Sequence, residues 1–265
     1  MRSTSATVHE PEPEPEREPE RGPRRVRMTP VELTVVVLAA VAGGAVQATL
    51  GFGGSFIMVP AVAVLLPRAL PAAVLLGLLP LTVWVAWRDR GAINRSAFLR
   101  ITAGRIPGTF LATAVVVLAP PRVLTLVIAS VLLLAVAATS AGWSVPTTPL
   151  NQGLAGIVSG FTGTAAALGG PPLALLYRDS RGDDRRGTLS MIFVVGILLG
   201  LATLGAVGEF GREDLQTGGL LGVGLLAGAL LVAPVVRGFS DAWLRRAVLV
   251  WAGVGAVAAL VRSFL

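Results

Sequence analysis

From residue 30 onward the chain alternates long apolar runs with short polar interruptions. Runs near the roughly 20 residues that cross a bilayer as a helix occur at Pro30–Leu50, Leu70–Trp87, Phe98–Ala119, Val123–Gly142, Gly187–Val207, Leu215–Val236 and Trp243–Val261. Two shorter runs, Gly53–Leu66 and Leu168–Tyr177, each follow a glycine cluster, Gly51-Phe52-Gly53-Gly54-Ser55 and Leu168-Gly169-Gly170-Pro171-Pro172. The pattern predicts an all-α integral membrane protein of about eight to ten membrane segments, some of them glycine-broken or re-entrant.

The order of features occurs twice. At an offset of 116 residues, Gly44, Gly53, Gly54 and Ile57 meet Gly160, Gly169, Gly170 and Leu173; at 120, Gly108-Thr109-Phe110-Leu111 meets Gly228-Ala229-Leu230-Leu231. A four-residue insertion near Arg178–Arg186 accounts for the change of offset. Three units follow: a tail at 1–28, a membrane repeat at 29–142 and a second at 143–265. The tail, with His9-Glu10-Pro11-Glu12-Pro13-Glu14-Pro15-Glu16 ahead of Arg21, Arg24, Arg25 and Arg27, cannot bury a core and is expected to be disordered. It lacks the short basic region and cleavage site of a signal peptide, and is expected to be retained.

Charge gives an orientation. Short Arg-rich loops favour the cytoplasm, and three are present, Arg88–Arg100, Arg178–Arg186 and Arg237–Arg246; Gly208–Leu215, with Glu209, Glu213 and Asp214 against Arg212, is the least basic. Corresponding loops of opposite character predict inverted repeats. One conflict arises: ten full crossings would put the N-terminus outside, against the Arg21–Arg27 cluster, whereas a re-entrant first glycine segment would bring it inside at the cost of strict symmetry.

Composition narrows the chemistry. Of 265 residues 54% are hydrophobic and 14% charged, with a mean hydropathy of +0.75, against about 25% charged in soluble domains. There is no cysteine, and the single histidine, His9, lies in the tail. Thiolate, haem and histidine–metal sites in the membrane part are therefore excluded. Asp and Glu fall in or beside loops, so no buried carboxylate relay is visible. The net charge of +7 is spread over loops and predicts no nucleic-acid partner. No cofactor is expected, and an intramembrane enzyme is the weakest alternative, since a lone serine lacks a base.

The glycine breaks carry the candidate site. A broken membrane helix frees backbone groups that must face protein, water or a ligand, and a half-helix N-terminus carries about half a positive charge. Facing breaks would thus bind an anion through backbone N–H groups at Gly51, Gly53, Gly54, Gly169 and Gly170, with Gln47, Thr49, Ser55, Thr162 and Thr164 as side-chain donors. Ser159 stands nearby. Pro60 and Pro171-Pro172 make both short segments poor continuous helices. Arg105 is either a buried partner for an anion or a side chain snorkelling to the cytoplasmic face. Trp84, Trp87 and Trp143 are expected to anchor at the interface. The competing reading is that the glycines only let helices pack closely.

Taken with Pro60, Gly160-Phe161, Pro107-Gly108 and Gly228, the two glycine motifs resemble the sulfite exporter TauE/SafE family over roughly residues 30–263. Two positions depart from that pattern: Ser55 stands where the glycine run often continues, and Leu176 where a counterpart of Pro60 would be. The resemblance implies a bacterial plasma (inner) membrane, multi-pass transporter with two related halves for a small anionic substrate such as sulfite or an organosulfonate. The expectation is a secondary transporter or exporter working by alternating access around the paired breaks. The alternative is a non-transporting membrane scaffold or assembly protein, with the Glu-Pro tail as its binding segment.

Overall fold

The structure, a computed structural model, describes residues 29–50, 53–177, 183–236 and 238–262. Among the described residues every regular element is helical, and the chain is a polytopic all-α membrane protein. The first half contains α1 (Pro30–Leu50), α2 (Gly54–Leu65), α3 (Ala72–Arg88), α4 (Arg95–Leu118) and α5 (Pro121–Ser140). The second contains α6 (Pro149–Ala166), α7 (Gly170–Leu176), α8 (Asp183–Ala206), α9 (Arg212–Ala227), a π-helical turn (Gly228–Val232) running into α10 (Ala233–Val236), and α11 (Asp241–Arg262). Each half therefore gives a long helix, a glycine break, a short helix and three further membrane helices, α9 to α10 counting as one 25-residue segment.

Both short helices fold back. Ser159, seven residues before the end of α6, donates to Gly169 O (2.6 Å), and Val145 N donates to Leu175 O (3.2 Å), so α7 returns to the end of the bundle where α6 begins. In the first half, Gly54 lies against Gly43 and Gln47 in the same manner. The chain after α2, at Pro67, Arg68 and Leu70, then lies beside Ala119, Arg122 and Glu209. The opposite end is tied together by Arg100 Nη1 to Gln152 Oε1 (3.2 Å) and Asn94 N to Thr188 Oγ1 (2.9 Å). The hairpin α1–α2 thus enters from one end and α6–α7 from the other, among α3, α4, α5, α8, α9–α10 and α11; of the described helices α1, α4, α5, α8 and α9–α10 are long and apolar enough to cross a membrane, and α2, α3 and α11 contribute shorter apolar stretches. With both short helices folded back, α1 starts at the end opposite the Arg88–Arg100 loop, so the expected conflict with the Arg21–Arg27 cluster stands. The tail, Gly51 and the loop residues 178–182 lie outside the described residues.

Glycine sets the helix contacts, and it does so in matched pairs. A Cβ at Gly160 would overlap the carbonyl of Arg105, and one at Gly44 that of Leu225; one at Gly108 would overlap Ile157 O, and one at Gly228 Val41 O. Each pair maps onto its mate by the two sequence offsets. Correspondingly α4 packs on α6 as α9 packs on α1, while α3 meets α8, and α5 meets α11. Small residues permit this approach because lipid supplies no hydrophobic force between helices, leaving van der Waals contact to hold them. Packing is thus the role of these glycines.

The halves differ at one junction. Trp251 Nε1 on α11 donates to Ile57 O on α2 (2.9 Å), and Gly255 lies directly on Pro60. At the matching place α5 presents Val131 and Ala135 to α7, leaving an apolar groove of about 400 Å³ bounded also by Leu134, Leu154, Pro172 and Leu175.

Candidate functional site

Between the two hairpin tips lies a cavity of about 50 Å³. Gln47, Gly53 and Ser55 line it from the first hairpin, and Gly163, Ala167, Gly169 and Gly170 from the second. Leu75, Leu78 and Thr82 of α3, Arg105 of α4, and Ser190, Phe193 and Ile197 of α8 complete the wall. The structure therefore brings together Gln47, Gly53, Ser55, Arg105, Gly169 and Gly170, and Gly54 adjoins them through Gln47.

The backbone at both tips is specialised. Gly53 has φ 108°, in the left-handed region that glycine adopts without cost, and it caps the start of α2. Ala167 occupies the left-handed region at the second tip, φ 54°, where a side chain carries a penalty of about 1–2 kcal/mol. The first turn of α2 offers backbone N–H groups toward the tip. In α7 the residues after Gly170 are Pro171 and Pro172, which have no N–H, so the second tip is the poorer in backbone donors.

Arg105 supplies a positive charge on that poorer side. It is 3% exposed. Its Nη1 donates to Ser159 Oγ (2.7 Å), its guanidinium carbon stands 5.9 Å from the centre of the Phe193 ring, and its Nε has no hydrogen-bond partner. Snorkelling is excluded by this burial. Gly163, Gly169 and Gly196 make room for it, and a Cβ at Gly196 would overlap the guanidinium. Its counterpart in the second half at the 120-residue offset is Leu225, which is fully buried. On the first side Gln47 Nε2 donates to Thr82 Oγ1 (3.1 Å), and Thr82 Oγ1 donates to Leu78 O (2.7 Å), which fixes the amide.

Three expected donors stand elsewhere. Thr49 Oγ1 is bonded within its own helix to Ala45 O (2.8 Å). Thr164 Oγ1 meets Thr109 Oγ1 (3.3 Å) between α6 and α4. Thr162 borders the apolar groove, and its buried Oγ1 is unpartnered. Conversely Thr82, Ser190, Phe193 and Gly196 join the site without any signal in their local sequence; only the pairing of α3 with α8 brings them there. Ser159 holds the second tip directly. Of the aromatic residues expected at the interface, Trp87 and Trp143 are exposed, and Arg90 stacks over Trp87 (4.9 Å).

A cavity lined by one guanidinium, with no carboxylate beside it among the described residues, and by one helix start can bind a small anion. Among the described residues no cluster of His, Cys, Asp or Glu suited to a metal ion occurs. The family model described as Sulfite exporter TauE/SafE matches residues 36–259. Comparison with curated proteins and with solved structures gives no match.

Proposed function

Because the chain belongs to the sulfite exporter TauE/SafE family, a family of membrane transporters, we propose that it is a secondary transporter for a small oxyanion bound between the two hairpin tips. The observation that carries this reading is the single cavity lined by both glycine breaks and by Arg105. Broken helices whose tips meet inside the bundle are the usual place for a transported solute. An anion there would accept from the free Nε–H and an adjacent Nη–H of Arg105, and from N–H groups at the start of α2, with Ser55 and Gln47 as neutral donors.

Size favours an inorganic anion. One water occupies about 10–15 Å³ of such space, so 50 Å³ holds a few heavy atoms, suiting sulfite better than an alkyl sulfonate. The matched pairs of helix contacts and the opposed entry of the hairpins support inverted repeats. Alternating access would then consist of the two hairpins exchanging which one shields the cavity. The basic Arg88–Arg100 loop supports a cytoplasmic location for that end, in a bacterial inner membrane, with α1 starting on the far side, against the pull of the Arg21–Arg27 cluster.

Uptake of labelled sulfite, sulfate and a short alkyl sulfonate into proteoliposomes tests the reading, with Gly170→Val as the control. Gly170 has open space where a Cβ would stand and lines the cavity, so the variant is expected to fold and to fill the cavity. Saturable sulfite flux lost in Gly170→Val is the expected result. Wild-type flux in that variant would remove the site, and no anion flux from inserted protein would favour the scaffold reading.

A further inference from the structure

We propose that the protein is an anion exchanger, in which Arg105 disfavours movement of the empty site and one bound monoanion restores it. The inference rests on the transport reading above and adds how the flux is coupled.

Its basis is a buried cation that no carboxylate neutralises among the described residues. Among the described residues no carboxylate contacts Arg105; the ion pair found there is Arg88 with Asp89 (2.9 Å), at the end of the bundle. Ser159, which accepts from Nη1, is neutral and has its own proton committed to Gly169 O. Gly163, Gly169 and Gly196 close around the guanidinium too tightly to admit another side chain. Nε remains without an acceptor. Among the described residues the open space against this charge is the cavity between the tips, which is where a solute would bring the compensating charge. Since Leu225 occupies the matching position in the other half, one positive charge is present, and one negative charge cancels it.

A carrier that has released its solute must pass through a closed state to return. With the cavity empty, that state holds an unpaired guanidinium away from water, the kind of loss that follows from removing one partner of a buried ion pair. With a monoanion bound, the closed state is neutral. The loaded return is therefore faster than the empty one by a factor on the order of 100, and entry of one anion is tied to exit of another. A dianion leaves a net negative charge and crosses less well. Hydrogen sulfite fits both the charge and the size.

The test uses full-length protein in proteoliposomes with equal pH on both sides and the potential clamped at zero. Vesicles contain either unlabelled sulfite or gluconate, which is too large for the cavity, and initial uptake of labelled sulfite is measured. The expected result is uptake on the order of 100-fold faster into sulfite-loaded vesicles, a ratio kept in Arg105→Lys and abolished in Arg105→Gln. Equal wild-type rates under both loadings would overturn exchange and leave transport standing. Absence of uptake under either loading would overturn both. A wild-type ratio persisting in Arg105→Gln would remove Arg105 from the coupling. The wild-type comparison decides exchange whether or not Arg105→Gln folds.

Discussion

At the scale of single residues, glycine does two separable jobs. Gly108 and Gly228 are contact points where a Cβ would strike the carbonyls of Ile157 and Val41, whereas Gly170 faces open space. Gly108→Leu is therefore expected to lower thermal stability in detergent by about 3 kcal/mol or more, because overpacking against backbone has no flexible side chain to displace. Gly170→Val should leave the melting temperature near wild type. A stable Gly108→Leu protein would contradict the packing role. Gly54 is a poorer probe, since a Cβ there would meet Gln47 Oε1 and confound binding with folding. Ala167→Gly should raise stability by up to about 1 kcal/mol by relieving its left-handed backbone. The duplicated Gly-Gly pairs and Arg105 were legible in the sequence because glycine breaks and a charge inside an apolar run each violate an expectation. The threonines were not, because a hydroxyl in a membrane helix can bond its own i−4 carbonyl, as Thr49 does, and nothing local says which it will do.

At the scale of helices, the contrast between the hairpins is the informative feature. The first is pinned by Trp251 and by Gly255 on Pro60, while the second faces an apolar groove of about 400 Å³ across from Ala135. Filling and overfilling should thus have opposite signs. Ala135→Leu is expected to be neutral or stabilising, and Gly255→Leu to destabilise by about 1–3 kcal/mol, both read as unfolding midpoints in nanodiscs. Equal effects would mean that the two junctions are packed alike. The long helices followed from apolar run length with one exception, α6 (Pro149–Ala166), whose Asn151, Gln152, Ser159 and glycines break up its apolar run. The fold-back of α2 and α7 did not, since twelve and seven apolar residues are compatible with either a half crossing or a return, and only tertiary contact with α1 and α6 decides between them.

At the scale of the whole molecule, the described residues form two opposed hairpins among six further helical segments. Gly91 and Gly211 lie at opposite ends, each with free space around it. The sequence has no cysteine, so Gly91→Cys and Gly211→Cys introduce single thiols. An impermeant maleimide applied to intact cells should label Gly211→Cys alone, with Gly91→Cys labelled only after lysis; labelling of both from one side would refute the topology. Five helical segments in each half, α9–α10 counted as one, is an odd number, and parity has a consequence for how such a protein is made. A unit with odd parity, joined end to end with a copy of itself, must deliver the second copy upside down, whatever its loops carry. The orientation of the second half is then inherited from counting alone, and its loop charges need only avoid opposing what the first half has already dictated to the insertion machinery.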